Sequence, residues 1–231
     1  MEKAMELYEL AARQGDETAQ YNLANLYFSG REVEADYAKA LELYLQAAEQ
    51  GHAGAQCQAG FCYEKGLGCE KNMEKAFSLY RQSAENGDAT GCNNLGFLYE
   101  NGLGCEKDVQ KAVEWFTKAA QKGLALGHKN LAIHLESGSG CPKDEKAALE
   151  HYRKAQEGGT DCAGDIRRLT TERRSNRIAY TIMLVFTLIA AVVCSVQFFS
   201  GTTQSGILAV AGVVGAALCL RMLRRLQPLE P

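Results

Sequence analysis

The chain has 231 residues, a formal net charge of −3 at pH 7 and an apolar fraction of 46%. The charge is unevenly distributed, because residues 1–165 carry 26 acidic and 17 basic side chains whereas residues 166–231 carry 2 acidic and 8 basic ones. The acidic first part argues against nucleic acid as a partner, since binding to phosphates needs a basic surface.

One pattern returns every 36 residues along the first two-thirds of the chain, without insertion or deletion. A glycine, an alanine and an aromatic residue each recur at this spacing: Gly15, Gly51, Gly87, Gly123 and Gly159; Ala4, Ala40, Ala76, Ala112 and Ala148; Tyr8, Tyr44, Tyr80, Phe116 and Tyr152. A fixed period of this length is typical of a solenoid. Such arrays present an extended surface to a partner and seldom form a catalytic pocket.

Each repeat is predicted to be a pair of helices, as residues 88–122 illustrate. Asp88 can cap a first helix that runs to about Glu100, and the glycines that follow can end it in the left-handed conformation. Asp108 can cap a second helix, whose apolar residues form one stripe: Ala112, Trp115, Phe116, Ala119 and Ala120. One such pair cannot bury its own apolar face, so neighbouring repeats are expected to stack.

These residues resemble a known repeat. The best match runs from Asn94 to Ala120, with Asn-Leu-Gly-Phe-Leu-Tyr-Glu-Asn-Gly-Leu-Gly at its start and Lys-Ala-Val-Glu-Trp-Phe-Thr-Lys-Ala-Ala at its end. This pattern resembles the Sel-1-like repeat, a relative of the tetratricopeptide repeat, and the resemblance covers about residues 1–160. It implies an all-α fold, a right-handed α/α superhelical solenoid of 36-residue helix-turn-helix repeats that serves as a scaffold or adaptor.

The first repeat departs from this pattern. Met1 falls at the start of a helix of the second type, so the first repeat has no first helix. The apolar stripe that includes Leu7 and Tyr8 then has no N-terminal neighbour. Either another chain covers it, for example in a homodimer, or the natural chain begins elsewhere. In the first loop, Glu32 also stands where Gly68, Gly104 and Gly140 stand in later repeats.

A polar column on the first helices is the candidate partner-binding site. Its members are spaced by 36 and carry side-chain amides: Asn22, Gln58, Asn94 and Asn130. Because an amide both donates and accepts hydrogen bonds, a ladder of them could hold the backbone of an extended peptide. In the alternative, each amide satisfies polar groups between adjacent repeats.

No catalytic, cofactor or metal site is predicted. The nine cysteines include Cys69, Cys105 and Cys141 in one loop column, whose spacing of roughly 10 Å between repeats exceeds the ~7 Å limit for a disulfide. No Cys-x-x-Cys pair suggests a metal, and no residue set suggests a nucleophilic triad. Some relatives carry paired cysteines within each repeat, but Ala120 stands where a partner for Cys92 would be expected, which favours reduced thiols.

The C-terminal part contains two apolar runs, 178–199 and 207–223. Arginines flank both runs: Arg173, Arg174 and Arg177 before the first, and Arg221, Arg224 and Arg225 at the end of the second. The positive-inside rule then predicts a transmembrane hairpin of two helices over 178–223, following a basic helical neck at 161–177 and leaving a short tail at 224–231. No apolar secretory segment precedes the repeats, so the repeat domain and the C-terminus are expected on the cytoplasmic side, with the arginines near anionic lipid.

The sequence therefore predicts a membrane-anchored scaffold that binds a partner protein or peptide and needs no cofactor. Two alternatives stay open. One is a secreted bacterial effector that inserts its hairpin into a host membrane. The other is an enzyme, such as the β-lactam hydrolases attributed to some members of the resembled family, although no Ser-x-x-Lys with its companion motifs is present.

Overall fold

The computed structural model describes the backbone of residues 2–31, 33–199 and 221. Within these residues the secondary structure is entirely helical, and its elements are α1 (Glu2–Arg13), α2 (Glu17–Ser29), α3 (Tyr37–Glu49), α4 (Ala53–Lys65), α5 (Met73–Glu85), α6 (Ala89–Asn101), α7 (Val109–Gln121), α8 (Ala125–Ser137), α9 (Glu145–Glu157) and α10 (Ala163–Phe199). The chain divides into two compact units, Met1–Cys162 and Ala163–Pro231.

The first unit is a stack of helical hairpins, which confirms the predicted solenoid. The helices α2 and α3, α4 and α5, α6 and α7, and α8 and α9 form four hairpins. The second helices α3, α5 and α7 also pack on the first helix of the next hairpin. Helix α1 packs on α2 and occupies the place of a second helix. Residues 36 apart therefore occupy equivalent places in successive layers, as the period of the sequence requires.

Side-chain caps fix where most helices begin. Asp88 accepts a hydrogen bond from the backbone N–H of Gly91 at 2.6 Å, and Asp108 accepts one from Lys111 at 3.0 Å, as predicted. The same geometry recurs at five other helix starts: Asp16, Asp36, His52, Asn72 and Asp144. Each cap satisfies a backbone donor that the first turn would otherwise leave without a partner. Leu124, before α8, provides no such cap.

Glycines in the turn after each first helix allow close contact with the preceding hairpin. Gly104 has φ +69°, and a Cβ there would overlap the backbone carbonyl of Met73 at the start of α5. Gly140 has φ +74°, and a Cβ there would lie 2.7 Å from the carbonyl oxygen of Val109. A glycine is thus required at the second position of this turn, because the residue has a positive φ and because a Cβ would overlap the backbone of the preceding hairpin.

Large side chains of the second helices fill the core against small residues of the first helices. Tyr44, Tyr80 and Tyr152 are fully buried, and so is Phe116 at the same column. A Cβ on Gly96 would lie 2.8 Å from the Phe116 ring. The small residue at this position therefore lets the aromatic ring enter the helix–helix interface, where close packing adds dispersion energy to hydrophobic burial.

The first layer has an uncovered edge, as predicted. In α1, Leu7 is 60% exposed, Leu10 is 56% exposed and Tyr8 is partly exposed, whereas Ala12 is buried toward α2. An isolated exposed leucine is ordinary on a protein surface, but two on one face of a terminal helix leave room for another element to pack there.

The predicted membrane location is wrong for the part of the chain that the structure describes. A bilayer span needs about 20 consecutive, predominantly apolar residues in a helix. None of the described helices is long and apolar enough to meet that requirement. Helix α10 joins the predicted neck and the first apolar run in one helix that begins with charged residues, and its later side chains, such as Ile182 and Phe186, are exposed. The second predicted span, 207–223, lies outside the described residues except Arg221.

Candidate functional site

The first helices of the hairpins form one continuous layer in the first unit. Helix α4 contacts α6, and α6 contacts α8, in addition to their contacts with the second helices. On each first helix, positions spaced by three, four or seven residues lie on one side of the helix. We call the following residues on that side the first-helix surface: Asn22, Asn25, Gln58, Phe61, Asn94, Phe97, Leu126, Asn130 and Ile133.

The predicted amide column lies on this surface and is partly exposed throughout. The Asn130 side-chain amide donates to Asn93 Oδ1 at 2.8 Å, and the Asn94 amide donates to Cys57 Sγ at 3.8 Å. Both contacts join one first helix to the preceding one. For Asn22 and Gln58, the described residues provide no side-chain hydrogen bond. Two of the four amides therefore link repeats, as the alternative interpretation expected, and the column does not form a ladder of direct amide–amide bonds between its own members.

Beside the amides, the surface carries large apolar side chains that are unusually exposed. Phe97 is 46% exposed, Ile133 is 44% exposed and Leu126 is 45% exposed. The repeat pattern alone did not predict that Phe97 lies on the surface. The signal that could have found it is the helical spacing, since Phe97 follows Asn94 by three residues and Ile133 follows Asn130 by three.

The α2 end of the surface is more polar and more internally bonded. Asn25 Oδ1 accepts a hydrogen bond from the Tyr44 hydroxyl at 2.6 Å. Tyr21 stacks on His52, with ring centroids 4.5 Å apart. Asn25 and Tyr21 already have partners within the array, and the apolar side chains of this surface that are open to an external partner are on α6 and α8.

The cysteines near this surface are buried, and their surroundings make the thiols unreactive. Burial, with a smaller contribution from nearby Asp88, raises the pKa of Cys57 to about 12. Burial likewise raises the pKa of Cys62 to about 12. The thiolate is the nucleophilic form of cysteine, so neither residue is suited to covalent catalysis. The predicted loop column consists of free, partly buried thiols, and burial also raises the pKa of Cys69, Cys105 and Cys141.

Histidines form contacts that the repeat pattern does not indicate. His128 Nδ1 lies 2.8 Å from His151 Nδ1. The buried His134 has Nδ1 3.0 Å from the Ser139 carbonyl oxygen, and its Nε2 lies 3.5 Å from a Glu100 carboxylate oxygen. Within the described residues, no cluster of three or more His, Cys, Asp or Glu side chains could hold a metal ion.

The predicted membrane-flanking arginines fall in the second unit. Arg173 is buried to 9% exposure, whereas Arg174 and Arg177 are exposed on α10. Arg221 is exposed, and Arg224 and Arg225 lie outside the described residues. Since the predicted span is not found in the described helices, these arginines have no assigned membrane role.

Comparison with known proteins agrees with this architecture. The sequence model of the Sel1 repeat matches residues 1–16, 18–52, 53–88, 89–124 and 125–159, which correspond to α1 and the four hairpins. The chain belongs to the Sel1 repeat family. Proteins with Sel1 repeats typically mediate protein–protein interaction and are generally scaffolds rather than enzymes. No curated protein matches the sequence.

Solved structures show the same Sel1 repeat fold. A Sel1 repeat protein from Oxalobacter formigenes is 26% identical with a TM-score of 0.66, over 100% of this chain and 78% of its own. A protective antigen present in uropathogenic Escherichia coli strains is 24% identical with a TM-score of 0.64, over 95% of this chain and 50% of its own. The present chain therefore spans half the length of the second protein, and that likeness concerns the fold alone.

Proposed function

We propose that the Sel1 repeats act as a scaffold that binds an extended segment of a partner protein along the first-helix surface. The observation that carries this proposal is the exposure of Phe97, Leu126 and Ile133 in one layer beside a column of side-chain amides. Among the other described residues of the hairpins, Tyr37 at the start of α3 is the one large apolar side chain with similar exposure.

The two kinds of side chain would have different tasks in such an interface. The apolar side chains on α6 and α8 would bury one or two apolar residues of the partner, which supplies binding free energy. The amides of Gln58 and Asn22, which have no side-chain hydrogen bond among the described residues, would bond the partner's backbone and fix its direction. Asn94 and Asn130 would contribute less, because each already bonds the preceding helix.

A capture experiment with the full chain tests the proposal. Proteins retained by the wild type are compared by quantitative mass spectrometry with those retained by the double variant Phe97→Asp and Ile133→Asp. Both side chains are already exposed, so the variant should keep its helicity and melting temperature while losing the partner. The matched control is Gln82→Asp on the second helix α5, also exposed, which should retain it. Equal retention by both variants would contradict binding at this surface.

The amides need a separate test because two of them also link repeats. The double variant Asn94→Ala and Asn130→Ala should lower stability by about 1 kcal/mol for each lost hydrogen bond. Substituting Gln58→Ala should leave stability unchanged and weaken binding of the captured partner. If stability falls in the first variant and partner affinity is unchanged in both, the amide column has no role in recognition.

A second copy of the chain is a further candidate partner, favoured by the exposure of Leu7 and Leu10 on α1. Two α1 helices packed through these residues would cover the first layer of each array. Sedimentation velocity on the full chain should then show a dimer that Leu7→Glu converts to a monomer. A wild-type monomer at all concentrations would reject this contact. No specific feature of the described residues favours the effector or the hydrolase alternative, and neither is proposed.

A further inference from the structure

The last hairpin contains a histidine pair that no earlier hairpin has. His128 on α8 and His151 on α9 point their Nδ1 atoms at each other over 2.8 Å, with ring centroids 5.1 Å apart. At that separation one Nδ1 must carry a proton and donate, and the other must accept. The pair therefore tolerates one proton between its facing nitrogens and excludes a second.

The pair replaces a different arrangement found in the first two hairpins, whereas the third hairpin has Cys92 in the column of His128. In the first two hairpins, Gln20 and Gln56 occupy the column of His128, and each donates to a carbonyl of the preceding second helix. Gln50 and Asn86, in the turn after the second helix, in turn donate to these glutamines at 2.8 and 2.9 Å. These amide chains contain no group that titrates between pH 5 and pH 8, so they hold their hairpins together independently of pH in that range.

In the last hairpin, both residues of that amide–amide contact are replaced. Gly158 stands in the column of Gln50 and Asn86, so it offers no side chain to residue 128. His151 stands where Leu43 and Leu79 stand, and it supplies the polar partner instead. The contact between α8 and α9 at this level consequently depends on two imidazoles.

The surroundings of the pair oppose the addition of charge. Burial lowers the pKa of His128, and Lys154 on α9 lowers it further. Burial and then His128 lower the pKa of His151, against a weaker opposite effect of Glu150. Glu150 is paired with Lys154 at 3.0 Å. On the other side of α8, helix α7 approaches Gly127 through Ala119 and Ala120, which carry no charge.

We propose that His128 and His151 form a proton-sensitive lock between α8 and α9, closed at neutral pH and weakened by acidification. The first added proton can bind the outward Nε2 of the donating ring and leaves the contact intact. The second must occupy the accepting Nδ1, which removes the hydrogen bond and places two like charges in contact. The array would then loosen at its C-terminal hairpin, while the amide-linked hairpins stay closed.

The direction of the effect follows from linkage. Because the folded pair binds protons less readily than free histidine, whose ordinary pKa is about 6.5, the stability it contributes is complete above about pH 6.5 and is lost as the pH falls below that value. For each proton that the folded hairpin excludes and the open hairpin binds, the closed-to-open ratio falls about tenfold per pH unit.

Hydrogen exchange of the full chain between about pH 7.5 and about pH 5 tests the proposal, after correction for the intrinsic pH dependence of exchange. Amides of α8 and α9 should lose protection by up to about tenfold per pH unit below about pH 6.5. Amides of α2 and α3, an equivalent hairpin whose two helices contain no histidine, are the internal control. Equal loss in both hairpins would overturn the proposal.

Variants that restore the residues of the earlier columns provide the matched control. His128→Gln with His151→Leu should abolish the extra acid sensitivity of α8 and α9, and acid sensitivity that persists would refute the lock. If this double variant folds poorly, the imidazole nitrogens of the wild type are read directly by long-range ¹⁵N correlation spectra. One Nδ1 should be protonated and the other unprotonated at neutral pH. Two unprotonated or two protonated Nδ1 atoms would overturn the proposal.

Discussion

Replacing Gly104 with alanine tests the contact between successive repeats. Gly104 adopts φ +69° in the turn after α6, and a Cβ there would overlap the backbone carbonyl of Met73 in the preceding hairpin. The left-handed conformation costs an L-residue about 1–2 kcal/mol. Overlap with a neighbour that cannot rotate away costs about 1–3 kcal/mol more. We therefore expect Gly104→Ala to lower the free energy of unfolding by about 2–5 kcal/mol.

The chain offers a control that separates the two costs. Gly123 has a similar φ of +82°, but a Cβ there would meet nothing within 4 Å. Gly123→Ala should therefore show the conformational cost alone, about 1–2 kcal/mol. Both substitutions remove one glycine from the unfolded chain, so that entropic gain cancels in the comparison.

Urea unfolding followed by circular dichroism measures the difference between the two variants. Gly104→Ala should be less stable than Gly123→Ala by about 1–3 kcal/mol, and hydrogen exchange should place the excess loss in α5 and α6. If the two variants are equally stable, a Cβ at position 104 does not clash with the neighbouring backbone. That result would refute close contact as the reason for the second glycine of the turn.

Three further predictions concern the caps and buried side chains of the hairpins. Tyr80→Phe removes the 2.8 Å hydrogen bond from the Tyr80 hydroxyl to Glu64, so urea unfolding should show a loss of about 1 kcal/mol; an unchanged midpoint would show that the bond contributes nothing. Asp88→Ala removes the cap at the backbone N–H of Gly91 and should cost about 1 kcal/mol, whereas Asp88→Asn should recover most of it. Cys57, with a pKa of about 12, should be thiolate in only about one molecule in 10⁴ at pH 8. Mass spectrometry after brief iodoacetamide treatment should therefore find it unmodified in the folded protein. Rapid alkylation of Cys57 would contradict its burial.

The layers of the fold could be predicted because they follow from local rules. The 36-residue period, the caps at Asp88 and Asp108 and the apolar stripe containing Phe116 each depend on residues close in sequence. Repetition then placed equivalent residues in successive layers.

The side-chain contacts between adjacent helices could not be predicted from the 36-residue period. Asn130 bonds Asn93 and not its column neighbour Asn94, because that choice depends on the rotation and spacing of two helices. The pairing of His128 with His151 depends in addition on the missing side chain at Gly158, which is a departure from the repeat. The location of the C-terminal part was predicted from apolar composition and flanking arginines, and the described helices do not support it.

Site-specific photo-cross-linking tests the central claim most directly. A photoreactive phenylalanine analogue is placed at Phe97 or Ile133 on the first-helix surface, and at Gln82 or Gln121 on exposed positions of second helices as controls. The account predicts that positions 97 and 133 cross-link the same partner protein and that positions 82 and 121 do not. Cross-links to that partner only from the second helices would contradict recognition by the first-helix surface.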